Sequence, residues 1–164
     1  MATSSVKFLA DQNISPKLVR ILHQLDERSI TSIYHEADMV DGLDAEWLPK
    51  AAERGYVCVT CDCRMATELS LAQILISEKV KVIFLSDYFA DSKKWEQALW
   101  LLRYWQKIKA FAQDMSSGQL VRVHKNGKIV AVVPGRKRHA PPSRAAKSQK
   151  PPGTETKAQT ILEF

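Results

Sequence analysis

Apolar residues in this chain come in short blocks separated by helical periodicity. Residues 6–10 form a first apolar block, and the Asp11-Gln12-Asn13 run ends it. A strand is predicted there. Ser15 suits a helix cap and Pro16 the first helical position. Leu18, Ile21, Leu22 and Leu25 then share one face of a helix predicted to end near Asp26. Residues 30–34 carry the branched Ile30, Thr31 and Ile33 and predict a second strand. Residues 35–42 are polar and predict a loop. Asp44 suits the cap of the next helix, with Trp47 and Leu48 opening its apolar face. Pro49 is tolerable there if it stays in the first turns, and Gly55 stops the helix. Residues 56–60 and 80–85 are almost continuously apolar, as strands covered on both faces are. A helix is predicted over 68–76, and a longer one over 95–111, with Leu99, Leu102, Trp105 and Ile108 at helical spacing. Residues 120–124 and 129–133 flank Lys125-Asn126-Gly127-Lys128, and Asn-Gly is a strong hairpin signal. The expected fold is α/β, with three layers, a mainly parallel central sheet and a C-terminal hairpin.

Charge divides the chain in two. There are 24 basic and 18 acidic residues, a net charge of +6 over 164 residues. Residues 134–164 hold seven basic side chains against two acidic ones, so residues 1–133 are nearly neutral. A domain is expected over 1–133 and a basic flexible tail over 134–164, closing on Ile161-Leu162-Glu163-Phe164. A domain-wide basic nucleic-acid surface is disfavoured. No apolar run nears 18 residues, and the opening Met1-Ala2-Thr3-Ser4-Ser5 lacks signal-peptide character. No membrane association is expected. Cys58, Cys61 and Cys63 are too crowded for a disulfide framework and fit reduced thiols in a cytoplasmic protein.

The acids carry the chemistry. Asp11, Asp62 and Asp87 each follow a predicted strand, and Asp44 opens a helix between two of them. In an open parallel sheet, sites form beyond the carboxyl ends of strands. Carboxylates gathered there repel unless a cation or proton neutralises them, and hard oxygen ligands suit Mg²⁺ or Mn²⁺. Each acid also has a plainer role, as turn residue or helix cap. Asn13 and Thr60 could orient carboxylates, Arg64 and Lys17 could meet phosphate, and Glu68 could reach the same cleft from its helix. Trp95, Trp100, Tyr104 and Trp105 suggest base stacking, but their spacing equally fits core. His23, His35, His124 and His139 form no metal-like pair.

Several of these segments resemble a known family. Phe8-Leu9-Ala10-Asp11-Gln12-Asn13-Ile14-Ser15-Pro16 resembles the opening of PIN-like domains of the VapC-type toxin kind. Gly42-Leu43-Asp44-Ala45-Glu46-Trp47 is similar to that family's helix opening, and Val57-Cys58-Val59-Thr60-Cys61-Asp62 to its Thr-x-Asp strand end. Val82-Ile83-Phe84-Leu85 resembles its fourth strand, so the likeness spans about residues 6–112. It implies a PIN-like fold and a divalent-metal endoribonuclease using metal-activated water. It also implies RNA as substrate, an antitoxin protein as partner, and a homodimer. Asp11, Asp44, Asp62 and, more loosely, Asp87 match the family acids, with Glu46 competing for the helix-start position. Gln12 stands where many relatives carry a further acid. A protein-binding module of this fold, weak or inactive in catalysis, is the alternative. A phosphotransfer domain would want an Asp-Asp or Asp-x-Asp pattern that Asp11-Gln12-Asn13 does not supply.

Overall fold

The chain is described by a computed structural model over residues 5–25 and 27–135. The expected helix end at Asp26 and nearly all of the basic tail, residues 136–164, lie outside the described residues.

Short apolar blocks become strands wherever both of their faces can be covered. β1 (Lys7–Ala10), β2 (Ile30–Ser32), β3 (Tyr56–Thr60), β4 (Lys81–Leu85), β5 (Leu120–Val123) and β6 (Ile129–Ala131) form one sheet in the order β2-β1-β3-β4-β5-β6. All neighbouring pairs are parallel except β5 with β6. Strand pleating sends alternate residues to opposite faces. Phe8, Ala10, Val57, Val59, Ile83 and Leu85 enter one core, while Leu9, Cys58, Val82 and Phe84 enter the other.

Helices cover both faces, which gives the three layers expected. α1 (Pro16–Gln24), α5 (Asp87–Asp91) and α6 (Lys94–Gln113) pack on the first core. α2 (Asp44–Glu53), α3 (Arg64–Thr67) and α4 (Leu69–Ser77) pack on the second. Trp105 of α6 meets Phe8 with ring centroids 4.9 Å apart, tying the long helix to β1. Burying one such aromatic side chain contributes about 1.5–3 kcal/mol. The loop before β2 is clasped to α6, where Lys109 Nζ lies 2.7 Å from Glu27 Oε2. Burial pushes the Glu27 carboxyl up, but its bonds with Lys109 and Ser29 prevail and hold it at about 2.

The structure adjusts several local expectations. The second strand ends at Ser32 because residues Ile33–His35 tighten into a 3₁₀ turn, with the Ser32 hydroxyl accepting from the Tyr34 N–H. The polar segment 35–42 still anchors in the core through fully buried Met39. Leu43 rather than Asp44 caps α2; its N–H donates to Glu46 Oε2 at 2.9 Å, and Asp44 is the first helical residue. Pro49 lies in the second turn of α2, so the carbonyl of exposed Ala45 loses its usual partner where water can replace it. The helix predicted over 68–76 is α4, which starts after Glu68, and α3 is a further short helix before it that the sequence did not indicate. On α6 the buried face runs through Ala98, Leu101, Trp105, Ile108 and Ala112, leaving Leu99 and Leu102 exposed.

The expected hairpin is present. Val123 pairs with Ile129, and the turn carries Gly127 at φ 76°. Asn126 is not left-handed, so this is a three-residue loop with one left-handed position rather than a two-residue primed turn. Gly127 also packs on α6: an added Cβ would lie 2.3 Å from Tyr104 Cε1. Gly127→Ala therefore combines a disfavoured backbone region with a steric clash. Urea denaturation should show a loss of about 1–3 kcal/mol relative to wild type.

Candidate functional site

The chain leaves β1 toward β2 on one side and later places β3 on the other, so the sheet's direction of winding changes between β1 and β3. Ligand crevices open at such a point, beyond the carboxyl ends of the strands. The register sets Ala10 opposite Val59, and the Asp11 N–H donates to the Val59 carbonyl at 3.1 Å. The next residues on each strand, Asp11 and Thr60, therefore meet. Thr60 Oγ1 donates to Asp11 Oδ2 at 2.5 Å and accepts from the Asp62 N–H at 2.9 Å. Asn13 donates to both carboxylate oxygens of Asp11, from its backbone N–H at 3.0 Å and its Nδ2 at 3.1 Å.

Asp11 is 2% exposed. Burial pushes its carboxyl up from the ordinary 3.8 to about 6. The hydrogen bonds from Thr60 and Asn13 oppose that rise, and the nearby charge of Asp44 adds to it. Those donors are neutral, so they solvate the carboxylate without cancelling its charge. Asp44 lies at the start of α2, with Oδ1 accepting from Trp47 Nε1 at 3.0 Å. The charge of Asp44 is thus felt at Asp11.

Asp62 follows β3 and is largely covered. It is gripped by Arg64, whose Nε and backbone N–H reach Oδ1 at 2.9 and 3.0 Å and whose guanidinium reaches Oδ2 at 2.7 Å. Those bonds hold the Asp62 carboxyl below the ordinary carboxylate range. The Arg64 side chain itself is 84% exposed. Asp87 follows β4 and turns elsewhere: its Oδ1 accepts from the guanidinium of Arg122 on β5 at 2.7 Å. Ser86, not Asp87, caps α5, with its hydroxyl accepting from the Phe89 N–H at 3.3 Å. Gln12 donates to the Val40 carbonyl at 2.7 Å and ties the residues after β1 to the loop before α2. Burial raises the thiols of Cys58 and Cys61, the latter to about 11, and both are free. Neither is an activated nucleophile.

The structure thus places Asp11 within the field of Asp44, links the Asp62 backbone to Asp11 through Thr60 while Arg64 takes the Asp62 carboxylate, and joins Asp87 to Arg122. Arg122 was not singled out from the sequence, where a lone Arg inside an apolar strand carried the only signal. The oxygen donors around Asp11 suit a hard divalent cation in their chemistry. Among the described residues, no group of three or more His, Cys, Asp or Glu side chains is arranged to hold a metal ion. The donor chemistry fits such a cation; a closed ligand set is not preformed.

Residues 6–87, half of the chain, match a sequence model described as the PIN like domain. The chain belongs to that family. No curated protein and no solved structure matches it.

Asp11 has a measurable consequence for stability. Its pKa is higher in the folded chain than in the unfolded one, so the stability it confers is complete below about 4 and is lost as pH rises through about 6. Urea denaturation of wild type and Asp11→Asn between pH 4 and 7, without divalent ions, should show the variant gaining relative stability with pH. The expected gain is at most about 3 kcal/mol. Parallel profiles for the two proteins would contradict a desolvated Asp11.

Proposed function

We propose that this PIN-like chain is a divalent-cation-dependent endoribonuclease. The observation that carries the reading is the buried Asp11 carboxylate at the β1–β3 crevice, solvated by Thr60 and Asn13 and pushed up further by Asp44. A buried carboxylate of this kind is stabilised when a cation arrives. Asp11 and Asp44, with Asp62, would hold Mg²⁺ or Mn²⁺. The ion would supply charge stabilisation for a phosphodiester undergoing hydrolysis. Thr60 and Asn13 hold the Asp11 carboxylate in place through three hydrogen bonds. Arg64 neutralises Asp62 in the absence of substrate, and its exposed guanidinium suits a phosphate. Asp87 is the outermost of the four acids, linked to the crevice's neighbour through Arg122.

RNA as the substrate, and a toxin role with an antitoxin protein as partner, rest on the resemblance of the strand-end motifs. A homodimer belongs to the same expectation. A second reading, a protein-binding module with little catalysis, is favoured by Trp95 and Leu99 of α6, which are 73% and 51% exposed on one helical flank. It is also favoured by the grip of Arg64 on Asp62.

The test joins activity to a physical readout. Purified protein is assayed on labelled single-stranded RNA with Mn²⁺, and thermal unfolding is followed with and without the ion. Wild type should cleave RNA, lose that activity with EDTA, and unfold at a higher temperature with Mn²⁺. Asp11→Asn and Asp62→Asn should each fold, cleave about 100-fold less or worse, and show a smaller Mn²⁺ shift, a loss at or beyond what removing a supporting partner causes. An equal Mn²⁺ shift in wild type and Asp11→Asn would remove Asp11 from the site. Absence of cleavage by wild type, with the shift also absent, would favour the binding module.

A further inference from the structure

Beside the acid crevice lies a groove of about 1100 Å³ between α3, the end of β4 and the β5–β6 hairpin. That exceeds the roughly 300–1,000 Å³ of small-molecule pockets and suits an elongated ligand. Its charged lining is Arg64, Arg122 and Lys125 against one acid, Asp87. Register explains how Arg122 comes to be there. It pairs with Phe84 and so shares the sheet face of α3, where its side chain is 9% exposed. A guanidinium carries five donors, and one carboxylate does not exhaust them. Lys125 Nζ sits 4.3 Å from the centroid of the Tyr88 ring, which is 37% exposed. The ammonium covers one face of that ring, so a strand in the groove meets a cation for its phosphate and the uncovered part of an exposed aromatic ring for a base.

Two further observations bear on the occupant. The Gly135 N–H donates to the Ala66 carbonyl at 2.7 Å, so the described chain ends against the groove wall. Arg64 is shared: it lines the groove and grips Asp62, so the groove adjoins Asp62. Arg122, His124 and Lys125 lie beyond residue 87, outside the segment that matches the PIN like domain. This half of the groove is therefore contributed by the chain's own C-terminal hairpin.

We propose that the groove binds single-stranded RNA, with the backbone phosphates on Arg122 and Lys125 and a base on Tyr88. Arg64 then stands where the strand passes from the groove to the acid crevice. This rests on the ribonuclease reading for the identity of the polymer, and it can be tested without cleavage.

The full chain, in EDTA, is titrated against a fluorescein-labelled oligouridine and followed by anisotropy over a range of salt concentrations. Lys125→Ala should weaken binding about tenfold and lower the slope of log affinity against log salt by about one. Trp100 Nε1 donates to the Lys125 backbone carbonyl, so this variant keeps that structural bond. Tyr88→Ala should weaken binding about fivefold or more with the salt slope unchanged. Arg103→Ala, an exposed cation on α6, is the control for bulk charge and should bind as wild type does. Circular dichroism is run on every variant. Wild-type affinity in both Lys125→Ala and Tyr88→Ala would overturn the proposal, as would no binding by wild type at low salt. Binding of duplex RNA or of a polyglutamate peptide as tightly as oligouridine would overturn the choice of a single strand. If cleavage with Mn²⁺ is seen while both groove variants bind normally, the groove fails and the ribonuclease reading stands. If the variants behave as expected and no metal supports cleavage, the reverse holds.

Discussion

The parallel pairing of β1 with β3 governs both the fold and the site. It sets the winding change of the sheet between these two strands, and its register puts Asp11 beside Thr60. From that single alignment come the hydrogen bond between them, the position of Asp62 two residues on, and the buried environment of Asp11. A slip of one residue would send Phe8, Ala10, Val57 and Val59 to the opposite face of their strands' packing. The two apolar cores therefore fix the geometry of the acids.

Burial works against stability here. A carboxylate with neutral donors is held in an apolar setting and beside a second acid, and both effects oppose its ionisation. Elsewhere in the chain an acid is treated differently. Glu27, also buried, receives Lys109 and is held at about 2. The contrast separates a structural ion pair, which clasps α6, from a group left with an unmet need for positive charge. Strain of that sort concentrates where function is housed.

The C-terminal hairpin adds a second region. It is attached by parallel pairing of β5 to β4, and its turn is seated on α6 by Trp100, Tyr104 and Gly127. It supplies Arg122, which draws Asp87 into a pair across β4 and β5. The four acids are thus not equivalent. Asp11 and Asp44 share a field, Asp62 is gripped by an adjacent Arg, and Asp87 faces the cation of another strand.

Much of the fold was legible in the sequence because its signals are local. Continuous apolar runs at 57–59 and 82–85 report burial on both faces, Ser15-Pro16 marks a helix start, and Asn126-Gly127 marks a hairpin. Asp11 and Asp62 could be placed at strand ends for the same reason. Other features were not legible. Leu99 and Leu102 fit a helical stripe as well as the true buried residues do, since periodicity reports a face but not which face meets the core. The short helix after β4 is set by the Ser86 cap, which a turn reading of Ser86-Asp87 conceals. The sequence by itself determined the six strands, the four longer helices, their order and the acids' positions after strands, because these follow from side-chain type within a few residues. Only the tertiary structure decided that Thr60 meets Asp11 and that Arg122 takes Asp87. Those pairs are 49 and 35 residues apart, and strand register rather than local preference brings them together.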